Sequence, residues 1–271
     1  AVYILKKHHF EIKNGMNGIL IGKIPEGGLS RSASLSINLI YSILEINGYK
    51  NIDTMKIVDM AQEMEIEYIH SPCGKLDQVM IAFGKAGFLT LYSQKDGKVS
   101  YIQNPKNSHE IELVILDTGT KRHGLAGTDY VIRKKECEEI VDIYGKEFEF
   151  KNLNEITPKT YDCLFEEIGF FNLRSRLKYI YESKSRLPLM INFWKTGNFR
   201  KVGELMDLDG ISLRDDYDLS GLELESMLIC ARADKNVLGA RLSGGGRVGA
   251  CIALRKKAPL DFLKNLVETG Y

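Results

Sequence analysis

The stretch "PEGGLSRSASLSINLIYSILEING", residues 25–48, decides the fold because it joins a glycine-rich turn to a long apolar helix. Gly27 and Gly28 allow the backbone to curl closely around a ligand. Small hydroxylated residues that offer helix caps and oxygen ligands follow at alternate positions, Ser30, Ser32 and Ser34. The apolar run after them predicts a helix buried on nearly every side, whose first turn carries unpaired amide N–H groups. Together these features predict an anion site, for which phosphate is the usual ligand.

Length, charge and cysteine content limit the class of protein. The 271 residues predict two domains or one large one, and the net charge of +1 from 37 basic and 36 acidic side chains argues against nucleic acid or an anionic membrane as a partner. Five scattered cysteines without a CxxC pair predict reduced thiols in the cytoplasm. No apolar run approaches the roughly 18 to 20 residues of a membrane span. The chain begins with Ala1 in strand-like sequence, so we expect residues upstream of it to be missing.

The first half of the chain mixes strand and helix patterns. The runs "AVYILKK" (residues 1–7) and "GILIGKI" (residues 18–24) predict a hairpin or two neighbouring strands. A helix is predicted from about Asp53 to Glu65, and a second hairpin around Asp96-Gly97. Turn-forming residues accumulate at 104–110. The domain boundary is therefore predicted there, which gives domains of residues 1–108 and 109–271.

The second half opens with a strand at residues 111–119 and a charged helix at residues 129–145. Helical patterning dominates from about Tyr161 to Arg232, with breaks predicted at Pro188 and at Gly197-Asn198. Two late strands, "NVLGARLSGGG" and "VGACIALRKK", flank a glycine loop. Strands and helices do not alternate strictly in either half, so the predicted fold class is α+β.

The segment "AQEMEIEYIHSPCGKLDQ", residues 61–78, holds two carboxylates of interest. Asp77 follows a Pro-Cys-Gly turn, which could hold its carboxylate rigidly against a ligand. Glu65 closes the preceding helix. Taken alone, Asp77 is more often a helix N-cap and Glu65 a solvated helix residue.

The segment "GARLSGGGRVGACIAL", residues 239–254, contains three consecutive glycines, Gly244, Gly245 and Gly246. Such a run is costly in backbone entropy, and a sharp hairpin is the plain explanation. A close approach of this backbone to a ligand or to another loop is the alternative. In isolation the two interpretations are balanced.

Five blocks in order resemble the GHMP small-molecule kinases, and within them the galactokinase group. The blocks are "PEGGLSRSAS", "SPCGKLDQ", "LDTGTKRHGLAGTDYVIRKKECEE", "SLRDDYDLSGLELE" and "GARLSGGGRVGACIAL". The resemblance covers most of the chain. It implies an S5-like α/β N-terminal domain that lacks its first segment here, followed by a ferredoxin-like C-terminal domain. ATP and sugar would lie between them.

The resemblance also implies roles for particular residues. The family's phosphate-binding loop, which wraps the ATP triphosphate, matches Gly27, Gly28, Leu29, Ser30, Arg31, Ser32 and Ala33. Ser32 matches the hydroxyl ligand of Mg²⁺, and Glu65 matches the acidic residue that supports that ion. Asp77 matches the catalytic aspartate beside the anomeric hydroxyl, and Gly74 and Tyr130 match positions that contact the sugar. The loop of Gly244, Gly245 and Gly246 matches the third family motif, which steadies the phosphate loop.

The implied activity is transfer of the ATP γ-phosphate to the anomeric hydroxyl of galactose, by a cytoplasmic monomer or weak oligomer. The chain departs from the family at Arg31, which replaces a serine, and at Arg247-Val248, which replace an aromatic residue and glycine. The family's first motif, which supplies an arginine beside the catalytic aspartate, has no counterpart here. If the protein truly lacks it, we expect no sugar kinase activity. A kinase for a related sugar such as galacturonate, or an inactive sensor of nucleotide and sugar, are the alternatives.

Overall fold

The computed structural model describes residues 1–22, 27–71, 73–120 and 129–258. It contains two compact units, which divide between Asn104 and Pro105. The first unit holds the described residues up to 104, and the second holds the described residues from 105 onward. Within these residues no helix has the length and apolar character needed to cross a bilayer.

The first unit consists of four α-helices and a hairpin. The helices are α1 (Val2–Lys7), α2 (Arg31–Ile46), α3 (Thr54–Glu63) and α4 (Leu76–Phe83). A π-helical turn, Met64–Tyr68, directly follows α3. Strands β1 (Phe88–Tyr92) and β2 (Val99–Gln103) pair antiparallel, which confirms the hairpin predicted around Asp96-Gly97.

Helices α2 and α3 supply much of the core of this unit. Helix α3 and the turn after it confirm the helix predicted from about Asp53 to Glu65, and Ile57 and Ala61 on α3 and Met64 in the π-helical turn are all buried. The side chain of Asp53 caps this helix by accepting a hydrogen bond from the Lys56 amide.

The prediction that α2 is buried on nearly every side is wrong. One face of α2 is buried, through Ile37, Ile40 and Leu44, whereas Tyr41 and Ile46 are exposed. The helix is therefore amphipathic, with its apolar stripe against the core.

The hairpin or pair of neighbouring strands predicted at the start of the chain is also wrong. Residues 2–7 form the helix α1, and residues 10–22 have no regular structure, with Ile19 89% and Ile21 83% exposed. Lys23 and Ile24, the end of the second predicted strand, lie outside the described residues. The consecutive residues Ile4 and Leu5 are both fully buried, which one face of a helix permits and a strand covered on one face does not.

The second unit combines a three-stranded sheet with five α-helices. The helices are α5 (Asp129–Tyr144), α6 (Pro158–Glu167), α7 (Phe171–Lys195), α8 (Phe199–Asp215) and α9 (Leu222–Ala233). The strands are β3 (Ile111–Asp117), β4 (Val237–Leu242) and β5 (Ala250–Lys256), in the antiparallel order β3-β5-β4. Short 3₁₀ turns occupy Lys106–Glu110 and Leu153–Glu155. These elements confirm the predicted α+β class and the two late strands.

The helical region differs from the prediction at one of its two breaks. The predicted break at Gly197-Asn198 is confirmed, because Gly197 adopts φ 69° and Asn198 caps α8 through the Lys201 amide. The predicted break at Pro188 is wrong, because α7 continues through it. Pro188 and its neighbours Leu187 and Leu189 are exposed. A proline there removes one backbone hydrogen bond where water can replace it, so the packing of α7 on α8 outweighs the loss.

Candidate functional site

The glycine turn before α2 has the left-handed backbone that its sequence predicts. Gly27 and Gly28 adopt φ angles of 92° and 79°. Ser30 is the N-cap residue of α2 and also lies in the left-handed region, with φ 54°. Its hydroxyl does not cap the helix, contrary to the expectation for this serine. Non-glycine residues rarely adopt such angles, and they concentrate where a turn is shaped for a ligand.

One buried carboxylate joins three elements of the first unit. Glu65 lies in the π-helical turn, and its Oε2 accepts a hydrogen bond from the Ser32 hydroxyl of α2 at 3.1 Å. Its Oε1 accepts a hydrogen bond from Gln78 Nε2 of α4 at 3.0 Å. The structure thus brings together Ser32 and Glu65, which are 33 positions apart in the sequence. The π-helical turn belongs to a class of local distortion that is frequent at functional sites.

The environment of Glu65 disfavours its charged form. The side chain is 4% exposed, so it is not the solvated helix residue that the plain interpretation expected. Burial raises the pKa of the carboxyl group, and the nearby negative charge of Asp77 adds to the rise. Hydrogen bonds from Ser32 and Gln78 lower the pKa but do not cancel these effects. A cation bound beside the carboxylate would offset this cost of its buried charge.

Asp77 and Gly74 lie on the exposed side of the same region. Asp77 stands in the first turn of α4, but Lys75 occupies the N-cap position, so the alternative of Asp77 as a helix cap is wrong. Lys75 pairs with Asp59 at 2.6 Å and not with Asp77. A Cβ added to Gly74 would meet no atom within 4 Å. The solvent-facing Asp77 carboxylate is thus available to a ligand.

Cys73 contacts the residues around the buried Glu65 carboxylate. Its thiol is 3.7 Å from Gln78 Nε2, and its carbonyl accepts a hydrogen bond from Gln62 at 3.2 Å. Burial, followed by the negative charge of Glu65, raises the pKa of this thiol to about 11. Cys73 is therefore a packing residue and not a nucleophile at neutral pH.

The remaining predicted residues, Tyr130 and the three glycines, belong to the second unit. Tyr130 lies in the first turn of α5 and is partly buried. Gly244 and Gly246 adopt φ angles of 76° and 68°. A Cβ at Gly246 would lie 2.7 Å from Leu219 Cγ. At Gly246 the structure therefore agrees with the second interpretation, in which the backbone approaches another segment closely.

Side chains around the glycine loop hold it to the rest of the second unit. Arg247 follows the loop at φ 65° and pairs through Nε with Asp129, the first residue of α5. Asp218, also left-handed at φ 53°, pairs with Arg133 of α5 at 2.5 Å. Thr118 donates a hydrogen bond to the Gly249 carbonyl at 2.5 Å. The loop and the start of α5 are thus joined by ion pairs and hydrogen bonds.

Sequence reasoning missed several of these partners. Gln78, Asp129 and Asp218 were not identified as contacts of a site. The sequence places Gln78 directly after Asp77 in "LDQ", but only the structure shows that its side chain is buried and needs a partner. No comparable signal exists for the ion pairs, because their members are far apart in the sequence.

The oxygen donors at Glu65 meet the needs of a divalent cation only in part. In the described part of the chain, no group of three or more His, Cys, Asp or Glu side chains could hold a metal. Mg²⁺, however, often takes only one or two protein oxygens and completes its shell with phosphates and water. The Ser32 hydroxyl and the Glu65 carboxylate are oxygen donors in contact with each other. These residues fit a magnesium ion that arrives with a nucleotide.

Comparison with known proteins places the chain in a family. The GHMP kinases N terminal domain matches residues 1–85. The chain is 32% identical to the galactokinase of Clostridium acetobutylicum, over 97% of the chain and 66% of that protein. It is 31% identical to the galactokinase of Limosilactobacillus reuteri, over 98% of the chain and 67% of that protein. The chain belongs to the galactokinase group of GHMP kinases.

Solved structures agree with this membership. The Lactococcus lactis galactokinase complexed with galactose matches with a TM-score of 0.89 and 28% identity, over 100% of this chain and 70% of that one. The L. major mevalonate kinase shares the fold at a TM-score of 0.53 and 19% identity, over 91% of this chain and 62% of that one. The predicted GHMP kinase fold and phosphotransferase class are thereby confirmed. The chain spans about two thirds of the length of the curated relatives it matches.

Proposed function

We propose that the protein containing this chain transfers the γ-phosphoryl group of ATP to the anomeric hydroxyl of galactose. The products are galactose 1-phosphate and ADP. The observation that carries the proposal is the hydrogen bond between the buried Glu65 carboxylate and the Ser32 hydroxyl. Ser32 lies at the start of α2, directly after a glycine turn with left-handed backbone angles. Family membership supports the substrates, because the relatives named above are galactokinases.

In this proposal the first unit binds the nucleotide. The loop from Gly27 to Ala33 surrounds the triphosphate with backbone N–H groups at the start of α2. Ser32 and Glu65 hold the metal side of the nucleotide. Magnesium, when bound, neutralises the negative charge that collects on the phosphate oxygens. Glu65 is suited to this role because its carboxylate is buried and forms no ion pair among the described residues. A bound cation would therefore offset the cost of its buried charge.

Asp77 is proposed as the group that receives the proton. Phosphoryl transfer requires that the two reactants are held in line, and a positioned base typically adds a factor of about 10² to 10⁴. The Asp77 carboxylate accepts the proton of the anomeric hydroxyl as the oxygen–phosphorus bond forms and the bond to ADP breaks. Gly74 and Tyr130 are proposed to contact the sugar, and Gly244, Gly245 and Gly246 to steady the phosphate loop. The division into domains of residues 1–108 and 109–271 remains part of the proposal.

A coupled assay of ADP release by the full-length protein tests this function. With galactose as acceptor, Asp77→Asn should lower kcat by about 10² to 10⁴, while ATP binding measured by calorimetry changes little. Galacturonate and arabinose serve as alternative acceptors, since a related sugar is the nearest competing substrate. Turnover with none of the three sugars, despite ATP binding, would replace the kinase proposal with a nucleotide sensor.

We also propose a cytoplasmic location and a monomer or weak oligomer. The location is supported by the cysteines, all five of which are free thiols. Reduced cysteines are typical of the cytosol. Size-exclusion chromatography with light scattering would test the oligomeric state, and a concentration-independent dimer or larger assembly would contradict it.

A further inference from the structure

Gln78 is a buried polar residue beside the proposed catalytic aspartate. It is 1% exposed, although its neighbour Asp77 on the same helix is exposed. Successive residues of a helix point about 100° apart, so α4 directs the carboxylate of Asp77 outward and the amide of Gln78 inward. Burying an amide costs free energy unless it forms hydrogen bonds. An apolar side chain would fill the same space without that cost, so the amide calls for an explanation.

The Gln78 amide holds one oxygen of Glu65. Its Nε2 donates to Glu65 Oε1 at 3.0 Å, while Ser32 Oγ donates to Oε2 at 3.1 Å. The carboxylate is therefore fixed from two sides, by α2 and by α4. Without the amide, the carboxylate plane could rotate away from the Ser32 hydroxyl. Only the Ser32 hydroxyl and the Cys73 thiol would then hold the carboxylate in place.

The other end of the amide gives no competing reason for a glutamine. In the part of the chain that the structure describes, Gln78 Oε1 is buried and has no hydrogen-bond donor. The second contact of Nε2 is the Cys73 sulfur at 3.7 Å, which is a weak acceptor. The bond to Glu65 is thus the principal polar contact of this side chain.

We propose that Gln78 is a positioning residue that orients the Glu65 carboxylate for the magnesium–nucleotide complex. It acts through Glu65 and does not touch the reacting atoms. The inference rests on the proposed function, because it takes Glu65 as the acidic support of the metal. Residues that orient a metal-supporting side chain typically contribute 10- to 100-fold to metal affinity or activity.

The test compares Gln78→Met with the matched control Gln62→Met. Methionine keeps the length and lack of branching of glutamine but cannot donate a hydrogen bond. Gln62 bonds the Cys73 carbonyl at 3.2 Å, so its variant loses an amide contact in the same region without touching Glu65. Both variants should unfold cooperatively at similar temperatures, which shows that any difference is not a folding defect.

The readout is the affinity for ADP, measured by calorimetry on the full-length protein with MgCl₂ and with EDTA. The wild-type protein and Gln62→Met should bind ADP more tightly in the presence of Mg²⁺. In Gln78→Met this gain should shrink by about 10-fold or more, while the affinity in EDTA stays within about 2-fold. In steady-state kinetics, kcat/KM for MgATP should fall by a similar factor, with KM for galactose unchanged.

The outcomes separate this inference from the proposed function. If the wild-type protein shows no Mg²⁺-dependent gain in ADP affinity, the magnesium site fails, and the inference fails with it. If the wild-type gain is present and Gln78→Met retains it as Gln62→Met does, the positioning role alone is wrong. Should Gln78→Met fail to fold, Gln78→Asn keeps the amide but withdraws it by one methylene. That variant must also lose most of the gain, and full retention would overturn the role.

Discussion

Replacing Gly246 by alanine should destabilise the second unit for two separable reasons. The residue adopts φ 68°, a left-handed angle that costs an L-residue about 1 to 2 kcal/mol. The added Cβ would also lie 2.7 Å from Leu219 Cγ and 3.0 Å from the Leu219 carbonyl oxygen. Carbon atoms pack at about 3.5 to 4.0 Å, so the methyl group would be about 1 Å too close.

The two costs can be estimated separately. Forcing extra volume into a packed site typically costs about 1 to 3 kcal/mol. Added to the backbone term, this predicts a loss of about 2 to 5 kcal/mol in the free energy of unfolding. The matched control is Gly119→Ala, because Gly119 has φ 69° in the same unit but a Cβ there would meet no atom within 4 Å. It should lose only the backbone term, about 1 to 2 kcal/mol.

Urea denaturation followed by tryptophan fluorescence measures both variants. The single tryptophan, Trp194, lies in α7 of the second unit and packs edge-on against Phe199 at 5.3 Å, so it reports on that unit. Equal losses in Gly246→Ala and Gly119→Ala would refute the steric account. A further check is Leu219→Ala as background, in which adding Gly246→Ala should cost less than it does in the wild-type chain.

Three further predictions follow from the same structure. Gly203→Ala should lower the free energy of unfolding by about 2 kcal/mol or more in the urea assay, because its Cβ would lie 2.0 Å from the Leu238 carbonyl oxygen, which outweighs the roughly 1 kcal/mol gain in helix propensity. Because folding raises the pKa of Glu65, the free energy of unfolding without nucleotide should fall as pH rises above about 4.5 and through the pKa of the folded state. Thermal unfolding at several pH values measures this fall, and Glu65→Gln should remove part of it. Alkylation at pH 7.5, followed by mass spectrometry, should modify Cys73 much more slowly than the exposed Cys163, and equal rates would contradict the raised thiol pKa.

The elements that the sequence predicted correctly are those with strong local signals. Asp96-Gly97 is a turn pair with few alternatives, and Asp53 is a capping residue directly before an apolar face. The start of the chain was misjudged because a short apolar run fits a strand or a buried helix equally well. Only tertiary contacts decide such a case, and here they include the ion pair of Lys7 with Glu63 of α3 at 2.7 Å.

The site was predictable to a smaller extent. Ser32 and Glu65 were identified through a resemblance, and nothing in their spacing alone required their hydrogen bond. The π-helical turn that carries Glu65 has no sequence signal comparable to a glycine or a cap. Its effect is to change the direction in which the following side chains point. A pattern of 3.6 residues per turn cannot predict that change, so the burial of Glu65 had to come from the structure.

The burial of Glu65 links the stability of the first unit to its ligand. Among the described residues Glu65 forms no ion pair, and its hydrogen-bond partners Ser32, Gln78 and Cys73 are neutral. A buried carboxylate with neutral partners opposes folding when it is charged, and a cation that binds only the folded state removes this penalty. Mg²⁺ with ADP should therefore raise the thermal midpoint of the wild-type protein more than that of Glu65→Gln. If Glu65→Gln is more stable than the wild-type protein without ligand but gains less stability from Mg²⁺ and ADP, then the wild-type site gives up stability for binding.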